Sequence, residues 1–349
     1  MTHTTTPPQS LDTPAASPRF GARLTQRFAL DTPVVLAPMA LASGGALAAA
    51  CAQAGALGLV GGGYGDLAWT QREYDLAVSL LAHDAQSLQR LGCGFITWKL
   101  DENASALDWL LAQAHTPKAL MLSFGDPRPY APRIAAAGVP LICQVQRLDQ
   151  VPLALEAGAC AIVAQGGEAG GHGMNAQEGR GTLALVPEIA DWLAVHAPQT
   201  LLLAAGGIAD GRGLAAALML GADGVLVGSR LWATQENLAA SGAKAQATTT
   251  SGDGTARSQV FDILRRKNWP APYDFRAIRN DLHRQWESRV SELQANPEPA
   301  RADYDAGVQA DDFTRAHATV GEAVGLIQDV PHAAELIVRM TQQARQLLA

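Results

Sequence analysis

The chain has only four cysteines in 349 residues, Cys51, Cys93, Cys143 and Cys160, and they stand far apart in apolar stretches with no C-x-x-C pair. That pattern excludes a disulfide frame and a zinc site, and no metal centre is expected. The thiols read as buried groups of a protein kept in a reducing compartment, the cytoplasm. Positive charge is short as well: 26 Lys and Arg face 33 Asp and Glu, for a net charge of −7. Such a surface repels nucleic acid unless it holds a local basic patch. The one short cluster, "RRK" at residues 265–267, reads as a solvated helix face.

Residues 32–65 carry no charge at all. A membrane span is excluded nonetheless, because Pro33, Pro38 and many glycines break the run. Residues 1–20 are rich in Thr, Pro and Ser and lack a basic segment followed by an apolar one. They read as a disordered tail, not a signal peptide. The chain has no G-x-x-x-x-G-K-[ST] P-loop, and "GGGYGD" (61–66) misses the G-x-G-x-x-G spacing, so a Rossmann nucleotide site is not indicated.

What the chain does have is a series of short aliphatic runs: "PVVLAPM" (33–39), "LGLVGGG" (57–63), "CGFITWK" (93–99), "KALMLSF" (118–124), "PLICQVQ" (140–146), "CAIVAQG" (160–166), "TLLLAAGGI" (200–208) and "DGVLVGS" (223–229). They are apolar throughout, as buried parallel strands are. Ala- and Leu-rich stretches such as "YAPRIAAAG" and "LAAALMLGA" lie between them, several ending in a helix-capping glycine. Eight strand–helix repeats predict an α/β fold, a TIM (β/α)8 barrel, with a doubly wound open sheet as the alternative.

The pattern stops at residue 233. Residues 233–311, with Trp, Tyr, Arg and Pro in place of the Ala/Gly texture, read as a small, mostly helical insertion after strand eight, in which "NDLHRQWESRVSELQ" (280–294) is an amphipathic helix. Residues 21–232 and 312–349 then form the barrel, the last stretch returning to helix and packing back on it.

In a TIM barrel the loops after the strand C-termini build the active site. "AAGGIADGRG" follows strand seven and "VGSR" follows strand eight. Gly206, Gly207, Gly228 and Ser229 would let backbone N–H groups approach a phosphate closely, or else simply make tight turns. Ala37, Pro38 and Met39 end strand one, where Met39 serves either a flat ring or the core. Gln144 and Gln146 end strand five and Gln165 ends strand six, as readers of a heterocycle edge or as capping groups. After strand six comes "AQGGEAGGHGM" (164–174), with five glycines. The reading is that a large planar ligand lies against this backbone at Gly170 and Gly171 and leaves no room for Cβ atoms. His172 is then the side chain beside that ligand able to move a proton near pH 7. Glu168 either orients the loop or caps a backbone N–H. Trp269 and Tyr273 offer apolar cover from the insertion, Trp269 equally its core, and Arg276 offers a cation for an anionic substrate.

These pieces carry a resemblance. "LAPMA", "GFITW", "AQGGEAGGHG", "LLAAGGIADGRG", "ADGVLVGSRLWATQE" and "VGEAVGLIQDVPHAAELI", spread over about 300 residues, resemble the nitronate monooxygenases, also called 2-nitropropane dioxygenases, which are FMN-dependent TIM barrels. The resemblance implies bound FMN and a catalytic histidine at His172. It implies phosphate loops at Gly206, Gly207, Gly228 and Ser229, and ring contacts near Pro38, Met39 and Gln165. This chain departs at Met174, where the family often has Gly, at Gly321 and Glu322, where it often has G-Q, and at "GFIT", where one branch has Asn. The implied activity is oxidation of an alkyl nitronate, with nitroalkanes as further candidates and O2 as acceptor. The alternatives are an NAD(P)H-dependent quinone or enoyl reductase and a flavin-binding protein without turnover.

Overall fold

The computed structural model describes residues 20–349, so the tail expected over residues 1–20 lies, but for Phe20, outside the described residues. The strands are β1 (Val34–Leu36), β2 (Gly58–Gly63), β3 (Leu91–Ile96), β4 (Leu120–Ser123), β5 (Leu141–Val145), β6 (Ala161–Gln165), β7 (Gly171–Met174), β8 (Leu201–Ala205), β9 (Gly224–Val227), β10 (Thr255–Ser258) and β11 (Tyr273–Ile278).

Eight of them form one parallel sheet in the order β1-β9-β8-β6-β5-β4-β3-β2. Its two ends meet: Leu36 N–H donates to Leu57 O at 2.9 Å and Leu57 N–H to Val34 O at 3.1 Å. The sheet is therefore a TIM barrel and not the open doubly wound alternative. Each predicted run overlaps one strand: β3 begins two residues before its run, and, except in β2, the residues left over at the C-terminal end of a run belong to loops or short helices.

Strand residues alternate between two apolar surroundings, as the period of two requires. Val35, Leu59, Met121, Ile142, Val163, Leu203 and Leu226 fill the barrel interior. Val34, Val60, Leu122, Cys143, Ile162, Leu202 and Val225 pack outward on the helices. The helix Ala22–Phe28 adds Leu24 and Phe28 to the interior cluster. A Cβ on Gly224, the first residue of β9, would come within 2.4 Å of Leu24, so this helix plugs the N-terminal end of the barrel.

After β9 the chain leaves the barrel and returns with the helix Ala333–Leu348, which packs on the helices Gly211–Met219 and Gly45–Gln53. A Cβ on Gly211 would lie 2.6 Å from Ala344 N, so the two helices meet backbone to backbone. This is the eighth barrel helix, delivered late.

The intervening region is mostly helical, with two strands that the texture did not foretell. β10 and β11 pair antiparallel, and β11 pairs with β7 in the order β10-β11-β7. The helix expected over 280–294 is broken into Asp281–Trp286 and Val290–Ala295. Unbroken, it would set Leu282 and Leu293 about 16 Å apart along its axis. The break folds both onto one cluster with Phe261 and Tyr304. No helix among the described residues is long and apolar enough to cross a membrane.

Candidate active site

Parity along the strands decides which polar residues meet. Gln144 stands two places after the inward Ile142, and Gln165 two after the inward Val163, so both point into the C-terminal mouth of the barrel. Gln165 Oε1 accepts from Gln144 Nε2 at 3.2 Å and from Gln146 Nε2 at 3.0 Å, while Gln165 Nε2 donates to His172 O at 3.0 Å. The three amides form one network that pins the start of β7.

A cavity of about 710 Å³ opens at this end of the barrel. Ala37, Pro38, Met39, Gln144 and Gln165 line it, as do Gly170, Gly171 and His172, and so do Gly206, Gly207, Gly228 and Ser229. These candidates thus share one space, whereas Gln146, also offered as a reader of a ring edge, is buried behind Gln165, and Tyr273, offered as cover, does not line it. Pro38 fits there because β3 offers it Gly94, whose Cβ would lie 2.4 Å from Pro38 Cγ. Met39 serves both purposes expected of it: it lines the cavity and packs on the core.

At Gly207, φ is +74° and a Cβ would meet nothing nearer than Glu168 Cβ at 3.7 Å. At Gly228 the nearest atoms would be Ala37 Cβ at 3.7 Å and Met39 Sδ at 3.9 Å. Both loops therefore present bare backbone to the cavity. Ser229 Oγ accepts from Gly321 N–H at 2.8 Å and keeps its own proton to donate.

The glycine-rich loop corrects the sequence reading in part. A Cβ at Gly170 would lie 2.4 Å from the carbonyl carbon of Val320, and one at Gly166 2.1 Å from Thr182 Oγ1, so the protein's own backbone and side chains fill these approaches. Gly171 is different, with φ +72° and no neighbour closer than Thr319 Cγ2 at 3.6 Å. Glu168 is a cap: its carboxylate accepts from Thr182 N–H at 2.8 Å and from Thr182 Oγ1 at 2.8 Å, at the start of the helix Thr182–His196. Arg257, from β10, braces the loop by donating to Ala169 O at 2.8 Å.

His172 sits on β7, opposite Phe275 of β11. Its Nε2 lies 2.9 Å and 3.0 Å from the two carboxylate oxygens of Asp262. Its ring stacks on Trp269 with centroids 3.4 Å apart. Nδ1 makes no hydrogen bond among the described residues. Burial lowers the imidazole from its ordinary 6.5 to about 4, against the opposing pull of Asp262. The histidine is neutral near pH 7, gives its Nε2 proton to Asp262, and keeps a lone pair on Nδ1.

Sequence reasoning missed Asp262. An acid between Phe261 and Ile263 in "QVFDILRRKNW" is the signal that could have found it, since a carboxylate in an apolar run needs a buried partner. The reading of "RRK" is overturned too. The helix ends at Leu264, Arg266 turns left-handed at φ +58°, and Lys267 N–H closes on Asp262 O at 2.8 Å. Arg265, Arg266 and Lys267 are thereby turned to line the cavity. Arg276, expected there, is not among the lining residues. Its guanidinium donates to Gly167 O at 3.2 Å and pairs with Glu322 at 2.8 Å.

A family model described as nitronate monooxygenase matches residues 103–343. Nitronate monooxygenase npaC of Metarhizium robertsii is 34% identical over 346 residues, 90% of this chain and 91% of its own length. A nitronate monooxygenase of Neurospora crassa is 30% identical over 90% of this chain and 89% of its own length. Among solved structures, a nitroalkane oxidase from Streptomyces ansochromogenes superposes with a TM-score of 0.74 at 25% identity, covering 93% of this chain and 99% of that one. FabK from Thermotoga maritima shares the fold, with a TM-score of 0.75 at 24% identity over 93% of this chain and 96% of its own.

Proposed function

The chain belongs to the nitronate monooxygenase family, a family of flavin-dependent oxidoreductases, and on that premise we propose that it oxidises alkyl nitronates with FMN in the described cavity, O2 as acceptor and His172 as the proton-transfer group. The observation that carries this is the pairing of His172 with Asp262 at the wall of a cavity whose other side is bare glycine backbone. Two loops that expose backbone at Gly207 and Gly228, with Gly206 and Ser229 beside them, suit a single terminal phosphate. The amides of Gln144 and Gln165 suit the polar edge of a flat ring. Ala37, Pro38, Met39 and Gly171 offer the surfaces on which such a ring lies. Bound FMN would supply the two-electron acceptor that passes electrons from substrate to oxygen.

The protein's own part is proton handling and enclosure. With Nε2–H held by Asp262, Nδ1 of His172 is a base that takes the α-proton of a neutral nitroalkane and leaves the nitronate. Trp269, Phe275 and Tyr64 wall the cavity and keep water from the anion. Residues 233–311 act as the substrate-side unit over the barrel mouth. The four free cysteines suit a cytoplasmic enzyme.

Anaerobic mixing of the flavin-loaded protein with propionate 3-nitronate or with NAD(P)H tests the reading. Bleaching of the flavin by the nitronate, followed by oxygen uptake, is expected. Bleaching by NAD(P)H alone makes the protein a quinone or enoyl reductase, and bleaching by neither makes it a flavin-binding protein without turnover.

A further inference from the structure

A neutral His172 leaves one need of a nitronate unmet. Its Nε2 proton belongs to Asp262, and its Nδ1 is a bare acceptor that repels an anionic oxygen. The oxygens of the substrate must find a donor elsewhere on the cavity wall.

A second imidazole stands there. His317 lines the same cavity and keeps partial exposure to it. The ring of Phe275 neighbours both histidines, with its centroid 4.8 Å from that of His172 and 5.8 Å from that of His317. Nδ1 of His317 is 2.6 Å from the hydroxyl oxygen of Tyr304. That hydroxyl is buried and has no other partner among the described residues. Burial pushes its pKa up to about 12, so it stays protonated and donates to Nδ1. The proton of the neutral imidazole is then on Nε2, which makes no hydrogen bond among the described residues and is not sealed off by protein atoms.

A cation stands close by. Arg265 lies over Phe275, with its guanidinium carbon 4.6 Å from the ring centroid, and its Nη1 is buried without a hydrogen-bond partner. Burial and this charge hold His317 well below its ordinary value. A neutral imidazole orients an anion without drawing off the electrons that the oxidation must remove.

Resting on the nitronate reading of the cavity, we propose that His317, its tautomer set by Tyr304, is the neutral hydrogen-bond donor that holds an oxygen of the substrate's anionic group, sharing the Phe275 ring as a neighbour with the base His172.

The test uses flavin-loaded wild type, His317→Ala, His317→Gln and Tyr304→Phe. Nitrate, a planar anion with no proton to lose, is titrated against the flavin absorbance, kcat and KM are measured with an alkyl nitronate, and log kcat/KM is followed over a pH series with a neutral nitroalkane, the substrate whose α-proton His172 takes. His317→Ala should weaken nitrate binding and raise KM by about 10- to 100-fold, the worth of one hydrogen bond to a charged group, without moving the acid limb set by His172. His317→Gln, which returns an N–H near the position of Nε2, should recover most of that affinity. Tyr304→Phe should raise KM less, by releasing the tautomer. If His317→Ala does not fold, the Gln and Phe variants carry the test. Unchanged nitrate affinity and KM in flavin-loaded variants, with only flavin content or thermal stability lowered, overturns the proposal while the reaction stands. His317-dependent nitrate binding in a protein that oxidises no nitronate overturns the reaction while the donor stands.

Discussion

The imidazole of His172 lies flat against the indole of Trp269, with ring centroids 3.4 Å apart and planes within 12° of parallel. The two residues come from different parts of the chain, one from the strand after β6 and one from the region beyond β9. Trp269 is fixed in turn by Tyr64, whose hydroxyl accepts its Nε1–H at 3.1 Å, and by the edge of Phe124. Trp269 therefore belongs to the aromatic wall and also covers one face of the histidine. Burial is the largest cause of the lowered His172 pKa. Trp269→Ala should let water reach the ring and move the acid limb of log kcat/KM from about pH 4 toward the ordinary 6.5. An acid limb that stays near pH 4 would show that the indole is not what keeps the ring dry.

His172→Ala and Asp262→Ala should separate the base from its holder. The first should keep its flavin and lose about 10²- to 10⁴-fold in kcat/KM on nitroalkanes, the usual worth of a general base. The second leaves the imidazole in place but frees its tautomer, and should cost about 10- to 100-fold. Flavin content is measured beside the kinetics. Loss of flavin from either variant would mark the pair as structural.

The barrel was legible because its strands are uninterrupted apolar runs and its helices end in glycine. The glycine loops that border the cavity were legible because Gly206, Gly207 and Gly228 recur at the ends of two such runs. β7 was not legible. "GHGM" has no strand signal of its own, and it is a strand only because Tyr273–Ile278 pairs with it across a hundred residues. Its partner β11, where Phe275, Ala277 and Ile278 are buried, was not foretold either. The Asp262–His172 and Tyr304–His317 pairs depend on how the region after β9 folds back, which no spacing encodes. Arg276 was misplaced for the same reason: composition supplied a cation and could not say which way it faces.

Gly207→Asp should abolish flavin binding. The position has φ +74°, which an L side chain rarely adopts, and the loop borders the cavity. A carboxylate there would also face the phosphate. A colourless but folded protein is expected, read by absorbance and circular dichroism. A yellow variant of normal affinity would move the phosphate site away from this loop.

Stability should fall with acid. His172, His283 and His317 are all held below their ordinary 6.5 by burial. Each binds its proton more readily unfolded than folded, so its contribution is complete above about pH 6.5 and is lost as pH drops toward the folded value. Asp223 and Asp274, raised by burial, work in the opposite sense. Wild type against His172→Gln isolates one group. The variant should lose less stability between pH 6.5 and 4, by at most about 1.4 kcal/mol per pH unit. Parallel melting curves across that range would contradict a buried neutral His172.

Arg276→Ala distinguishes a substrate cation from a brace. On sequence alone Arg276 was the cation for an anionic substrate, and its loss would raise KM. In the structure its Nε donates to Gly167 O at 3.2 Å, Nη1 to Thr255 Oγ1 at 3.2 Å, and Nη2 pairs with Glu322 at 2.8 Å, with the side chain only 13% exposed. It ties β11 to the glycine-rich loop on one side and to the tail that carries Gly321 on the other. The Glu322 pair is half exposed and adds little. The two hydrogen bonds are worth about 1–2 kcal/mol together. Arg276→Ala should therefore lower thermal stability and flavin content, because the loop that borders the cavity loses a strut, while KM per flavin-loaded molecule stays unchanged. The measurement is oxygen uptake normalised to bound flavin, beside a melting curve. A raised KM at full flavin content would return Arg276 to the substrate and require the loop to move when substrate binds.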